Sequence, residues 1–158
     1  MWRNRNGRAG RKKRLGAVSV EMALVAPIFV AVIAGLAETG RLLDAQTQLA
    51  TAARLGARLA TMDRSGLLAE NQTTNDKISQ EIRTYLNANG LSGDAADVFV
   101  VDPTDHATPF DLDDPDNDLA LFELRVEFPY SELSGTASDT WTMTAKVVFR
   151  NARSALVQ

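Results

Sequence analysis

The sequence predicts an α+β protein, with a long N-terminal apolar helix, a second helix and a small antiparallel β-sheet. Two observations carry that expectation. A strongly apolar run follows a basic end, and farther along the hydrophobic period changes from near 3.6 to two. At 158 residues the chain holds one modest domain and an accessory segment.

The basic end comes first. Arg3, Arg5, Arg8, Arg11, Lys12, Lys13 and Arg14 fall within residues 1–16, which carry no acidic side chain. The other 142 residues hold ten basic and twenty acidic groups, a net charge of −10 beneath a whole-chain value of −3. So sharp a division marks a tail with its own task. A basic arm attracts phosphate, but the segment that follows directs it to a membrane, and no nucleic-acid partner is expected.

From Ala17 to Ala37, 17 of 21 residues are Ala, Val, Ile, Leu, Met or Phe; Ser19, Glu21, Pro27 and Gly35 are the exceptions. A helix of that length rises about 30 Å, the thickness of a bilayer's hydrocarbon core. Positive charge lies on its N-terminal side, while Glu38 and Arg41 nearly balance on the other. The expected topology is a single pass with the N-terminus cytoplasmic and the C-terminal part outside. Residues 1–16 then form a leader, 17–37 the transmembrane segment and 38–158 the external domain. Gly35-Leu36-Ala37 also offers small residues of the kind a signal peptidase accepts, so release after Ala37 is an alternative.

Glu21 is the odd residue in this run. A carboxylate deep in a bilayer costs about 2.5–3.5 kcal/mol and usually finds a partner. Its context, Arg14-Leu15-Gly16-Ala17-Val18-Ser19-Val20-Glu21, resembles the processing signal of type IV pilins and pseudopilins. In that family a basic leader ends in glycine, and glutamate is the fifth residue of the mature apolar segment. Val20-Glu21-Met22-Ala23-Leu24-Val25-Ala26-Pro27, Glu38-Thr39-Gly40-Arg41-Leu42-Leu43 and Ala52-Ala53-Arg54-Leu55-Gly56-Ala57-Arg58-Leu59-Ala60 follow in order. That succession is similar to the TadE-like pseudopilins of tight-adherence (Tad, or Flp) pilus systems. Met22 stands where the family commonly has an aromatic residue. The closing stretch Thr142–Asn151 resembles the family's last strand more loosely.

The resemblance implies a pilin-like helical spine and cleavage between Gly16 and Ala17 by a prepilin peptidase. It also implies a subunit contact in which Glu21 pairs with the new Ala17 ammonium. Its further implications are a bacterial inner-membrane location with a periplasmic domain, and other pseudopilins and pilus-assembly proteins as partners. Glycine suits the cut, because its backbone leaves the helix readily. A membrane-tethered periplasmic binding or adhesion module, uncut, is a second functional alternative.

Beyond the membrane run the helical period continues through Leu42, Leu49, Leu55, Leu59 and Met62, and one helix is expected from about Ala17 to Thr61 with a kink at Pro27. Ala45, Ala52, Ala53 and Gly56 give it a small-residue surface. That surface suits either helix–helix packing in the membrane system or the protein's own domain. Ser65-Gly66 supplies a stop. A second helix is expected from about Thr74 to Asn87, on the shared face of Ile78, Ile82, Tyr85 and Leu86, with a left-handed stop at Asn89-Gly90. Strands are expected at Asp97–Val101, Leu119–Tyr130 and Trp141–Arg150, where apolar and polar residues alternate. One face of the sheet should lie against helix. Ser131–Thr140, with Gly135, is the polar link.

The remaining candidates are weak. Asp114, Asp116 and Asp118 alternate as in a calcium-binding loop, but Leu119 and Arg125 stand where that loop needs glycine and glutamate. The acidic run Asp111–Asp118 is therefore expected to be a solvated turn without metal, and His106 a surface residue. Asn71-Gln72-Thr73 is a glycosylation sequon of no consequence outside a glycosylating pathway. With no cysteine, no glycine-rich phosphate loop and no nucleophile motif, neither cofactor nor enzymatic activity is expected.

Overall fold

A computed structural model of the chain describes residues 9–62, 68–135 and 141–152, and for 9–17 the backbone alone. The elements are α1 (Ala9–Ala60), α2 (Thr74–Ala88), β1 (Asp97–Val101), β2 (Leu121–Pro129), α3 (Ser131–Ser134) and β3 (Thr142–Arg150), with 3₁₀ turns at Gly93–Ala95 and Pro115–Asn117. The α+β expectation holds. The chain divides into two units between Arg41 and Leu42.

Helix α1 begins earlier than the sequence reading placed it, inside the basic segment. Arg11, Lys12, Lys13, Arg14 and Leu15 are good helix formers, and the single Gly16 costs only about 1 kcal/mol. Pro27 is contained within the helix, which continues on both sides of it. The expected stop at Ser65-Gly66 lies outside the described residues; the last helical position is Ala60, followed by a turn at Thr61.

In the second unit, α2 is capped at both ends. The Thr73 side chain accepts from the Asp76 N–H, while the Asp76 carboxylate accepts from the Thr73 N–H, a capping box. Asp113, from a loop 39 residues onward, accepts from the Thr74 N–H at 2.7 Å and from its hydroxyl at 2.5 Å. At the other end Gly90 adopts φ 85° and the Leu91 N–H reaches back to the Leu86 carbonyl, as in a Schellman closure. The helix runs one residue past the expected end.

β2 is the central strand of an antiparallel sheet of order β1-β2-β3. Val98 and Ala145 flank Val126, and Val100 and Val147 flank Leu124. Phe122, Leu124, Val126 and Phe128 are fully buried on one face, in a core shared with Leu49, Ala52 and Ala53 of α1 and Ile78, Ile82 and Leu86 of α2. The small-residue surface of α1 thus packs on its own unit. Gly56 is its tightest point: a Cβ there would lie 2.6 Å from Ile82 Cδ1 and 2.8 Å from Leu124 Cδ2.

Candidate membrane anchor and processing segment

Of the sequence-predicted site residues, Gly16, Ala17 and Glu21 all fall within α1. Successive backbone amides across the Gly16–Ala17 bond are helical, so a protease that reads extended chain must first unwind this turn. Glycine lowers that barrier, since it favours helix less than alanine by about 0.8–1 kcal/mol. Ala17 and Glu21 stand four residues apart, one turn along the same helical face. Glu21 is exposed.

From Val18 to Leu36 the helix is apolar all round and unburied. Val18, Val20, Met22, Leu24, Val25, Ile28, Phe29, Val30, Val32, Ile33 and Leu36 are all exposed, most of them by more than half. A helix hydrophobic on every side needs an apolar surround. Burying side chains of this size is worth about 1.5–3 kcal/mol each, so these eleven represent on the order of 15–30 kcal/mol that water leaves unrealised. The penalty of one carboxylate, about 2.5–3.5 kcal/mol even at mid-bilayer, is small beside that. Among the described residues this is the one helix long and apolar enough to cross a membrane.

The other sequence candidates resolve into structural roles. In the acidic loop, Asp111 Oδ1 accepts from the Asp113 N–H and Asp114 Oδ1 from the Asp116 N–H, while Asp113 caps α2. Among the described residues no three such side chains converge on a point where a metal ion would sit. Leu119 takes the left-handed conformation, φ 65°, at the position where a calcium loop has glycine. Asn151 is fully buried, and its amide donates to the Leu112 and Asn117 carbonyls, fastening this loop to the end of β3. Thr73 of the sequon is the α2 cap.

His106 has a role that the sequence reading missed. Its Nδ1 lies 2.8 Å from Glu123 Oε2, on a carboxylate only 2% exposed in the middle of β2. Alternation put Glu123 on the polar face, but nothing in the local sequence signals that the loop after β1 brings His106 to it. The segment also lines the outer edge of β1, where the Phe110 N–H donates to the Val100 carbonyl and the Asp102 N–H to the Thr108 carbonyl. Next to it, Asp105 is held down to about 2 by the Thr108 hydroxyl, the Ala107 and Thr108 amides and the adjacent His106.

The architecture is therefore that of a single apolar helix, compatible with a membrane anchor, joined to a small α+β unit. A family model described as TadE-like protein matches residues 16–58, the family that the motif order resembles. The match starts at Gly16 and ends within the last turn of α1, so one helix carries all of it. It suggests involvement in the Tad pilus system. No curated protein and no solved structure matches the chain.

Proposed function

We propose that this chain is a pseudopilin-like component of a Tad pilus system, cut by a prepilin peptidase between Gly16 and Ala17 and held in the bacterial inner membrane by residues 17–37. The N-terminus is cytoplasmic and the domain periplasmic. The role is structural, in pilus assembly, and not enzymatic. The observation that supports this reading best is the placement of Glu21 at the fifth position after Gly16, inside an all-round apolar, unburied helix.

The chemistry is coherent. Cutting after Gly16 makes Ala17 the new first residue of the helix and leaves an ammonium there. Glu21, one turn in, is favoured near the positive end of the helix macrodipole by about 0.3–1 kcal/mol. Its carboxylate pairs with the ammonium of a neighbouring pseudopilin, which sets axial register between helices. Within lipid no hydrophobic drive distinguishes helix–helix from helix–lipid contact, so such a polar contact decides association.

N-terminal sequencing of the protein recovered from membranes tests the reading. Ala17 as first residue supports it, and Gly16→Val should abolish that cut. Met1 would indicate an uncut tether, and Glu38 a secreted domain. Glu21→Gln should still insert and be cut, yet cross-link poorly to partner pseudopilins; normal piliation in that variant would refute the pairing role.

A further inference from the structure

The two edges of the sheet are treated differently. β1's outer edge is closed at its C-terminal half by residues 108–110, with Pro109 bridged to Val101. β3's outer edge has no backbone partner among the described residues. The Tyr130 N–H donates to the Trp141 carbonyl and the Asn151 N–H to the Ala120 carbonyl. In antiparallel pairing such residues alternate, so Met143, Ala145, Val147 and Phe149 face β2 in the ladder. Thr142, Thr144, Lys146, Val148 and Arg150 then turn their N–H and C=O groups outward. All five of those residues are exposed.

The charges along this edge specify what it can accept. Lys146 stands directly opposite Arg125 of β2, and like charges in opposed positions repel. Arg125 is neutralised by Glu127 at 3.1 Å and stacks on Phe99. Lys146 makes no ion pair among the described residues. An acidic side chain on a further strand, opposite Lys146, would meet that charge from the free side. Val148, 48% exposed, asks for an apolar neighbour two positions along.

We propose that β3 is the docking edge for an extended segment of a different protein. That segment adds as a fourth strand, with Asp or Glu opposite Lys146 and an apolar residue opposite Val148. A second copy fits poorly. Two β3 strands paired about Lys146 set that lysine against itself, and shifted registers still crowd Lys146 and Arg150 of both copies on one seam. β1 of a second copy offers only its N-terminal half, since residues 108–110 close the rest of its edge. Among the described residues this nine-residue strand presents unpaired N–H and C=O groups, a template for strand addition on which Lys146 discourages unselective pairing and leaves an acidic strand as the fitting one. Main-chain pairing with alternate side-chain pockets is the usual form of such recognition.

The inference rests on the pilus reading only for the choice of cells. Because the chain has no cysteine, a photo-crosslinker on Val148→Cys in the full-length protein labels a single position. The expected result in pilus-assembling cells is one adduct with another protein, its cross-linked peptide carrying Asp or Glu within two residues of the cross-link. Thr144→Pro removes an outward N–H that the protein's own sheet does not use, a position where edge strands tolerate proline. It should lower the adduct about tenfold, the effect of roughly one lost hydrogen bond, while Thr144→Val and Lys146→Arg retain it and Lys146→Glu does not. Unchanged thermal unfolding of Thr144→Pro shows that the sheet persists; if that variant unfolds, Lys146→Glu against Lys146→Arg decides alone. An adduct only with a second copy, an adduct indifferent to both substitutions, or no adduct overturns the proposal. N-terminal sequencing of the same membranes separates the two readings. Ala17 without an adduct sinks only the docking edge, and Met1 with an adduct sinks only the processing.

Discussion

Enlarging Gly56 sets two known effects against each other at one position. Replacing a helix-interior glycine with alanine is worth about 1 kcal/mol in propensity. Here the added Cβ meets Ile82 Cδ1 at 2.6 Å, Leu124 Cδ2 at 2.8 Å and Ile78 Cγ2 at 3.1 Å. Those atoms are the ends of side chains, but Ile82 and Leu124 are fully buried and cannot swing into solvent. Overpacking a filled core costs about 1–3 kcal/mol, so Gly56→Ala should be destabilised by up to about 2 kcal/mol. Gly56→Val adds two more methyl groups to the same contact and loses most of the propensity gain, so about 3 kcal/mol or more is expected. Gly40 is the control, because a Cβ there meets nothing within 4 Å. Gly40→Ala should leave the second unit's stability unchanged. The assay is hydrogen exchange of the Leu124 and Val126 amides in the detergent-solubilised full chain, since central-strand amides exchange through global opening. Protection in Gly56→Val equal to the wild type would refute the close approach of α1 to β2.

Asn151→Ala should cost about 2–3 kcal/mol by the same measurement, because it strips the Leu112 and Asn117 carbonyls of a buried donor. His106→Ala should destabilise by about 1–3 kcal/mol by leaving the Glu123 carboxylate buried without its partner, and Glu123→Gln should be milder because an amide can still accept from the ring. Asp105 is held at about 2 against an ordinary 3.8. Its folded value is depressed, so its contribution is complete above about 4 and is lost as pH falls towards 2; the Ala107 and Thr108 amides should lose protection in that window and not above it.

The parts of the fold that repeat were legible in the sequence. Ile78, Ile82 and Leu86 lie four apart, which places α2 within a residue of its observed end. Alternation put Leu124, Val126 and Phe128 of β2 and Met143 and Ala145 of β3 in the core, although Trp141 and Phe149 of the same set are exposed and Glu123 of the polar set is buried. Burial of one face is what makes such a pattern, so the pattern reports the face. Contacts between distant segments leave no period. Asp113 caps a helix 39 residues away, and His106 reaches Glu123 across 17; each polar residue reads as solvated until its partner is known. The start of α1 was hidden for a different reason. Arginine and lysine favour a helix about as well as leucine does, so the end of the apolar run did not mark the end of the helix. Ala45, Ala52, Ala53 and Gly56 supported either a membrane seam or a domain core, and only the position of Ile82 and Leu124 separates the two.

That small-residue face marks a change of character along one helix. Between Val18 and Leu36 its large apolar side chains point in every direction, an arrangement compatible with a membrane anchor. From Ala45 to Ala60 the buried positions are alanine and glycine apart from Leu49, and the bulk of the core comes from elsewhere: Ile78, Ile82 and Leu86 on α2, Phe122 and Phe128 on β2. A face of small residues contributes little apolar area itself but lets neighbouring side chains approach the helix backbone, and their burial supplies the hydrophobic stabilisation. The family match ends at residue 58, two residues before this face does, and does not extend into α2 or the sheet. That limit has a physical reading. The face of α1 constrains its partners to be bulky and close, which many sequences satisfy. On the reading proposed above, the glycine, the glutamate five residues on and the apolar run would answer to one peptide bond and one bilayer, and those requirements leave far fewer solutions.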